Sequence, residues 1–315
     1  MASEIQNNRH NVIKSTSVLT LTALIWGMGF VAQRSAMEHV GPFFFNGMRT
    51  ALGALTIVIV LLISNLIERK KNGVTAPKPS ALSPEVLKGG VLCGIALFLA
   101  GNLQQVGLVF TAAGKAGFLT ALYIVLVPIL GIFLKHKTHW NTWGSVLIAA
   151  AGLYCLSITE NFSILIGDLV VIIGAFFWAC HILVVDHYVA PLGHLDVMKL
   201  CICQFVVAGL LGLLCWPLFD KYFTAGVFRL SDLILVLPAL LYAGVVSTGA
   251  GFTLQAIGQR YANPSAASII MSLESVFSLI GGILILHEIL TGKEILGCIL
   301  MFAAVLLAQL PLKRK

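Results

Sequence analysis

Charge is what this sequence has least of. Asp, Glu, Lys and Arg make up 10% of its 315 residues, hydrophobic residues make up 58%, and the mean hydropathy is +0.96. About a quarter of the residues of a soluble domain are normally charged, so a water-soluble fold of this length is excluded. Metal and nucleotide signatures are missing too. Cys93, Cys155, Cys180, Cys201, Cys203, Cys215 and Cys298 all lie in apolar runs. They give neither a disulfide framework nor a Cys-x-x-Cys metal pair and read as small packing residues. Gly114-Lys115 lacks both the spacing to Gly107 and the following Ser or Thr of a phosphate loop, and there is no Walker motif, so no cofactor and no ATP drive are expected. The net charge of +7 comes from Lys and Arg at segment ends and in loops. With no basic face on a soluble domain, a nucleic-acid partner is not expected.

Long apolar runs are what the chain has in abundance. A membrane-spanning helix needs about 20 predominantly apolar residues. Ten stretches qualify: Thr16 to Ala36, Phe43 to Ser64, Leu87 to Gly107, Gly114 to Leu134, Trp140 to Ile158, Gly167 to Val185, Val197 to Pro217, Leu233 to Ala256, Ser265 to Leu286 and Glu294 to Leu310. The runs are continuous, whereas β-barrel strands alternate in segments of about ten residues, so an all-α membrane protein is expected. The first run is too long, and too poorly followed by small residues, to be a cleaved signal peptide. Residues 1–15 read as a cytoplasmic amino-terminal arm, residues 68–84 as a polar linker, and residues 311–315 as a basic cytoplasmic tail. With the amino terminus inside, thirteen Lys and Arg fall on the inner side, and Arg34, Lys115, Lys221, Arg229 and Lys293 on the outer. That bias puts both termini of this multi-pass protein in the cytoplasm, with the cell membrane (plasma or inner) as its location.

The second half echoes the first. Gln104, Gly107, Phe110 and the run Ala116 to Leu134 align, at an offset of 151, with Gln255, Gly258, Tyr261 and Ala267 to Ile285. Trp26 pairs with Trp178 at 152, and Gly144 with Gly297 at 153. Residues 16–158 and 165–310 therefore form two units of five spans each. Five is odd, so the second unit enters the membrane upside down: ten transmembrane helices as two inverted five-helix repeats, the plan of many secondary transporters with midplane sites.

Particular motifs also resemble a known family. Tyr-Ala-Asn-Pro-Ser-Ala-Ala from Tyr261, then Ser-Leu-Glu-Ser-Val-Phe, His-Glu-Ile-Leu-Thr-Gly and Gly-Cys-Ile-Leu, are similar to the EamA-type branch of the drug/metabolite transporter superfamily. Leu-Ile-Trp-Gly-Met-Gly-Phe at 24–30 and Asn-Gly-Met-Arg at 46–49 resemble its first- and second-helix signatures. The resemblance implies a ten-helix transporter with a central cavity, moving small metabolites, often amino acids and often outward. Ser275 stands where many relatives have proline, which predicts a kink missing or moved there; Pro128 in the matching helix supplies one candidate kink.

The strongest single site candidate is Glu274, mid-span in an apolar stretch. A charge at that depth costs about 2.5–3.5 kcal/mol on insertion scales, so such a residue usually faces a wet cavity. Ionised, it would pair with an amino or quaternary ammonium group; protonated, it could exchange a proton, which makes protons the candidate coupling ion. Its repeat mate is Tyr123, also mid-span. Arg49 is a candidate clamp for a carboxylate or phosphate, with snorkelling to the interface as the plainer reading. Trp26 and Trp178 could stack on a ring or hold a cation, or simply pack. Gln104 and Gln255 are secondary candidates for substrate contact, while Asn102, Gln105 and Gln204 read as interhelical glue. His181, Asp186 and Lys199 suggest a polar cluster on the inner side, without a metal pattern. His287 and Glu288 read as a turn or outer interface. The many glycines read as close helix-packing surfaces.

These residues make a secondary transporter, an exporter of small polar metabolites such as amino acids or related amines by alternating access, the leading reading. Its partners would be a small-molecule substrate and membrane lipids, and its state monomer or homodimer. An importer of amines or a nucleotide-sugar exchanger are the alternatives within transport. An intramembrane scaffold or enzyme is the alternative outside it, and an enzyme is disfavoured because one mid-span acid stands without a partner acid.

Overall fold

The computed structural model describes residues 2–72, 82–111, 113–136, 138–157, 165–223, 230–286 and 291–310. Among them there are helices and no strands. They are α1 (Ala2–Ala36), α2 (Pro42–Asn72), α3 (Pro84–Phe110), α4 (Ala113–Thr120), α5 (Tyr123–Phe133), α6 (Trp140–Ser157), α7 (Ile166–Val189) and α8 (His194–Phe219). After a 3₁₀ turn at Asp220–Tyr222 come α9 (Leu230–Leu241), a π-helical stretch at Tyr242–Phe252, α10 (Thr253–Gln259), α11 (Pro264–Met271), α12 (Glu274–Leu286) and α13 (Gly292–Ala308). The helical backbone runs on through the polar residues before Thr16, so the expected arm continues α1 rather than ending short of it.

Several helix starts follow from local chemistry. The Ser83 hydroxyl accepts from the Val86 amide at 3.3 Å, and Pro84, which has no amide hydrogen to lose, opens α3. Asn263 and Pro264 repeat the device at α11, with 2.7 Å from the Ala266 amide to the Asn263 side chain. Thr291 and Glu294 form a capping box at α13.

Seven helical stretches among the described residues are long and apolar enough to cross a membrane. They begin at Asn11, Pro42, Pro84, Lys115, Ile166, His194 and Ser231. The other three expected spans correspond to α6, to the divided pair α11 and α12, and to α13, which fall short of that length and apolarity. Side-chain distribution is that of a protein whose solvent is lipid. Leu62, Leu66, Leu147, Leu214 and Ile234 are exposed, while Gln33, Asn46, Arg49, Gln104, Gln255 and Glu274 are buried. Polar groups turn inward because hydrocarbon offers them no hydrogen bonds.

Packing positions the interior. Helix α3 lies against α7 and α8, α2 against α8 and the π-helical stretch, and α6 against α13. Where α6 meets α13, a Cβ on Gly297 would come within 2.9 Å of the Gly152 carbonyl and one on Gly152 within 3.0 Å of the Gly297 carbonyl, so the two backbones touch. Carboxylates tie helix ends together. Asp220 accepts from the Phe43 and Phe44 amides at 2.9 and 2.8 Å, holding the start of α2 to the end of α8. Asp168 accepts from the Thr111 hydroxyl at 2.6 Å and from the Lys115 ammonium at 2.5 Å, joining α7 to the end of α3 and to α4.

Candidate functional site

Two helices are broken at matching places. Helix α4 stops at Thr120 and α5 resumes at Tyr123; α11 stops at Met271 and α12 resumes at Glu274. The start of α4, its end and the start of α5 each recur 151 residues later, the offset found in the sequence. Both breaks are tight turns of i to i−3 bonds, Ile124 amide to Ala121 carbonyl at 3.0 Å and Ser275 amide to Ser272 carbonyl at 3.2 Å. The break expected to be lost at Ser275 is therefore present without proline. The Ser272 hydroxyl donates to the Ile269 carbonyl at 2.7 Å, a side-chain bond that competes with the helix ladder. In the first half the break precedes Pro128, which lies inside α5.

The breaks deliver Tyr123 and Glu274 to each other. The Tyr123 hydroxyl donates to Glu274 Oε1 at 3.2 Å, and both side chains are buried, at 3% and 4% exposure. Glu274 also sits in the first turn of α12, where the helix dipole favours negative charge. Around this pair is a cavity of about 500 Å³, lined by Trp26, Phe30, Gln33, Arg49, Gln104, Thr120, Tyr123, Trp178, Ile182, Ser247, Phe252, Gln255 and Glu274. All seven residues singled out from the sequence, Glu274, Tyr123, Arg49, Trp26, Trp178, Gln104 and Gln255, border this one space.

The polar chemistry of the lining is unusual in one respect. Arg49 is buried at 4% exposure and donates from Nη1 to Gln33 Oε1 at 2.8 Å; among the described residues no carboxylate pairs with it. Glu274 has the Tyr123 hydroxyl as its hydrogen-bond partner and no cation. A buried guanidinium and a buried carboxyl group thus share one cavity, each hydrogen-bonded to a neutral side chain. Arg49 Nε, Thr120 Oγ1 and Gln255 Oε1 are buried without a hydrogen-bond partner. Left unpaired, a buried polar group costs about 1–3 kcal/mol, and more when charged, so these atoms favour a polar partner, water or solute.

Aromatic rings form one wall. Phe252 lies between the two tryptophans, 4.7 Å from Trp26 at 51° and stacked on Trp178 at 5.7 Å and 13°. Each indole nitrogen is engaged: Trp26 Nε1 donates to the Ser247 carbonyl at 3.2 Å, and Trp178 Nε1 to Gln104 Oε1 at 2.6 Å. Ser247 and Phe252 belong to the π-helical stretch, a geometry that often marks functional sites.

The other candidates divide. Among the inner-side candidates, the buried His181 ring hydrogen-bonds Gln204 Oε1 at 3.0 Å, and Lys199 pairs with Asp196 at 2.9 Å, its neighbour one helical turn back. Asn102 accepts from Asn46 at 3.3 Å and Gln105 donates to the Gln33 carbonyl at 3.3 Å, both bonds between helices. His287 and Glu288 lie outside the described residues. No group of three or more His, Cys, Asp and Glu among the described residues is placed to hold a metal ion. Phe30, Gln33, Thr120, Ile182, Ser247 and Phe252 line the cavity without having been foreseen. Of these Gln33, a polar residue inside an apolar run, carried a signal of the same kind as Gln104; apolar residues in apolar helices carry none.

Comparisons with known proteins agree with this architecture. A crystal structure covering 94% of this chain and 98% of its own superposes with a TM-score of 0.71 at 18% identity, which speaks for the fold. An uncharacterized transporter of Archaeoglobus fulgidus is 30% identical over 293 residues, 93% of this chain and 84% of that protein. The uncharacterized transporter YoaV of Bacillus subtilis is 24% identical over 93% of this chain and 95% of its own length. A shorter match, 30% identical over 102 residues, 32% of this chain and 28% of the relative, is to an S-adenosylmethionine/S-adenosylhomocysteine transporter of Chlamydia trachomatis. The profile of the EamA-like transporter family matches twice, over residues 14–158 and 165–310, so that a duplicated helical unit accounts for nearly the whole chain and the protein belongs to the EamA-like transporter family.

Proposed function

We propose that this integral membrane protein is a secondary transporter that exports small zwitterionic metabolites, amino acids or close relatives of them. The observation that carries the proposal is the buried guanidinium of Arg49 and the buried carboxyl group of Glu274 on one cavity, each with a neutral hydrogen-bond partner. An amino acid presents a carboxylate to the guanidinium and an ammonium group to the carboxylate, and so completes both. In its absence a proton on Glu274 serves in place of the ammonium group, which makes proton exchange the coupling step. The name of the Chlamydia relative fits this reading, since S-adenosylmethionine and S-adenosylhomocysteine are α-amino acids.

In this reading ten helices form two inverted five-helix repeats, residues 16–158 and 165–310, with both termini in the cytoplasm of a cell-membrane protein. The matched breaks at 121–122 and 272–273 are the places where the halves bend during alternating access. Flux of a panel of radiolabelled amino acids and S-adenosylmethionine into proteoliposomes tests the proposal. Glu274→Gln, with folding checked by size-exclusion profile, is expected to abolish proton-driven flux. Undiminished flux in that variant removes Glu274 from the mechanism.

A further inference from the structure

The donors of Arg49 are not equivalent. A guanidinium offers a carboxylate two bidentate edges, one made by Nη1 with Nη2 and the other by Nε with Nη2. One N–H of Nη1 donates to Gln33 Oε1 at 2.8 Å. Nε is buried with no partner, and Nη2 makes no hydrogen bond among the described residues. Nε and Nη2 are thus the guanidinium nitrogens without a partner, on a residue that borders the cavity.

The surroundings fix that arrangement. The backbone carbonyl of Gln33 accepts from Gln105 Nε2 at 3.3 Å, which ties α1 to α3 at the residue whose side chain meets Nη1. One turn before Arg49, Asn46 donates to the Gly101 carbonyl at 2.9 Å and to Asn102 Oδ1 at 3.3 Å, tying α2 to α3 beside the guanidinium. At Gly101 a Cβ would stand 3.4 Å from Nη2, so any longer side chain would crowd that flank. The residue that orients Arg49 is also uncharged. A Glu at position 33 would neutralise the guanidinium and compete with the guest; a Gln holds its geometry and leaves its full charge to be answered from the cavity.

We infer that Gln33 is a positioning residue, holding the Arg49 guanidinium on the cavity by an uncharged contact and leaving its charge to a single substrate carboxylate, so that the site selects ligands with a free carboxylate over their amides. This inference rests on the zwitterion reading above and adds to it the residue that sets the selectivity.

The test uses the purified full-length protein and two probes. The twenty proteinogenic amino acids and S-adenosylmethionine are screened by thermal shift, and the tightest binder is compared with its own C1-carboxamide by titration calorimetry. Wild-type protein is expected to prefer the acid over the amide by about tenfold to a hundredfold, the worth of a charge-assisted hydrogen bond. Gln33→Glu should lower affinity for the acid by about tenfold or more and change that for the amide less than about twofold, because its own carboxylate occupies Arg49. Gln33→Asn, which shortens the reach to Nη1 without adding charge, should shrink the acid-to-amide ratio in the same direction and serves as the reading if the Glu variant does not fold. A ratio unchanged in both variants, or equal losses for acid and amide, overturns the role of Gln33. Absence of any binder in the panel, or an Arg49→Gln variant that binds the acid as well as wild type, overturns the zwitterion reading and this inference with it.

Discussion

The hydrogen bond between Tyr123 and Glu274 offers a measurement of how the mid-membrane carboxylate is held. Tyr123→Phe removes one hydroxyl and leaves the ring, which is packed at 3% exposure, in place. What is lost is one bond of 3.2 Å to Glu274 Oε1. To a neutral acid such a bond is worth about 0.5–1.5 kcal/mol, near the average of about 0.6 measured between membrane helices; to a carboxylate it is worth about 1.5–3 kcal/mol. A double-mutant cycle of Tyr123→Phe, Glu274→Gln and the pair, read by reversible unfolding in mixed micelles, isolates this term from ring packing. The expected coupling is about 0.5–1.5 kcal/mol where the acid carries its proton and rises with pH as the proton leaves, because the hydroxyl donor favours the charged form. A coupling within about 0.3 kcal/mol of zero at every pH, or one that falls as pH rises, would refute the reasoning.

Two further outcomes follow from other contacts. Trp178→Phe keeps the stack on Phe252 but leaves Gln104 Oε1 without its 2.6 Å donor, so apparent stability should fall by about 1–3 kcal/mol, and a Gln104→Leu background should remove most of that loss in thermal unfolding. Gly297→Leu forces α13 away from the Gly152 carbonyl and should destabilise by about 1–3 kcal/mol, while Kd for a cavity ligand, measured on the folded fraction, stays as in wild type.

How much of this was legible in the sequence depended on whether a residue contradicted its surroundings. Glu274 and Arg49 stood out because each is a charge inside an apolar run, and lipid makes such a residue conspicuous. Tyr123 is ordinary in its own segment and emerged through the 151-residue offset from Glu274, while Gln104 and Gln255 were marked as polar groups in or at the ends of apolar runs. Phe30, Ile182 and Phe252 were invisible, since whether an apolar residue of a membrane helix faces lipid, a neighbour or a cavity is decided by packing. The break before Glu274 was hidden for another reason: proline is the signal usually sought, whereas here Ser272 draws its hydroxyl back to the Ile269 carbonyl. The π-helical stretch likewise had no motif, although Gly244, Gly249 and Gly251 allow the close backbone approach to α2 and Trp26 seen there.

The interrupted helices have one more consequence. Arg49 rides on α2, an uninterrupted rod whose start Asp220 holds, while Glu274 stands at the joint between two short rods. Flexing that joint would change the gap between Arg49 and Glu274. On the function proposed above, a guest gripping both would act as a strut that resists flexing until one grip is surrendered, with a proton arriving at Glu274 as the trigger for letting the cargo go.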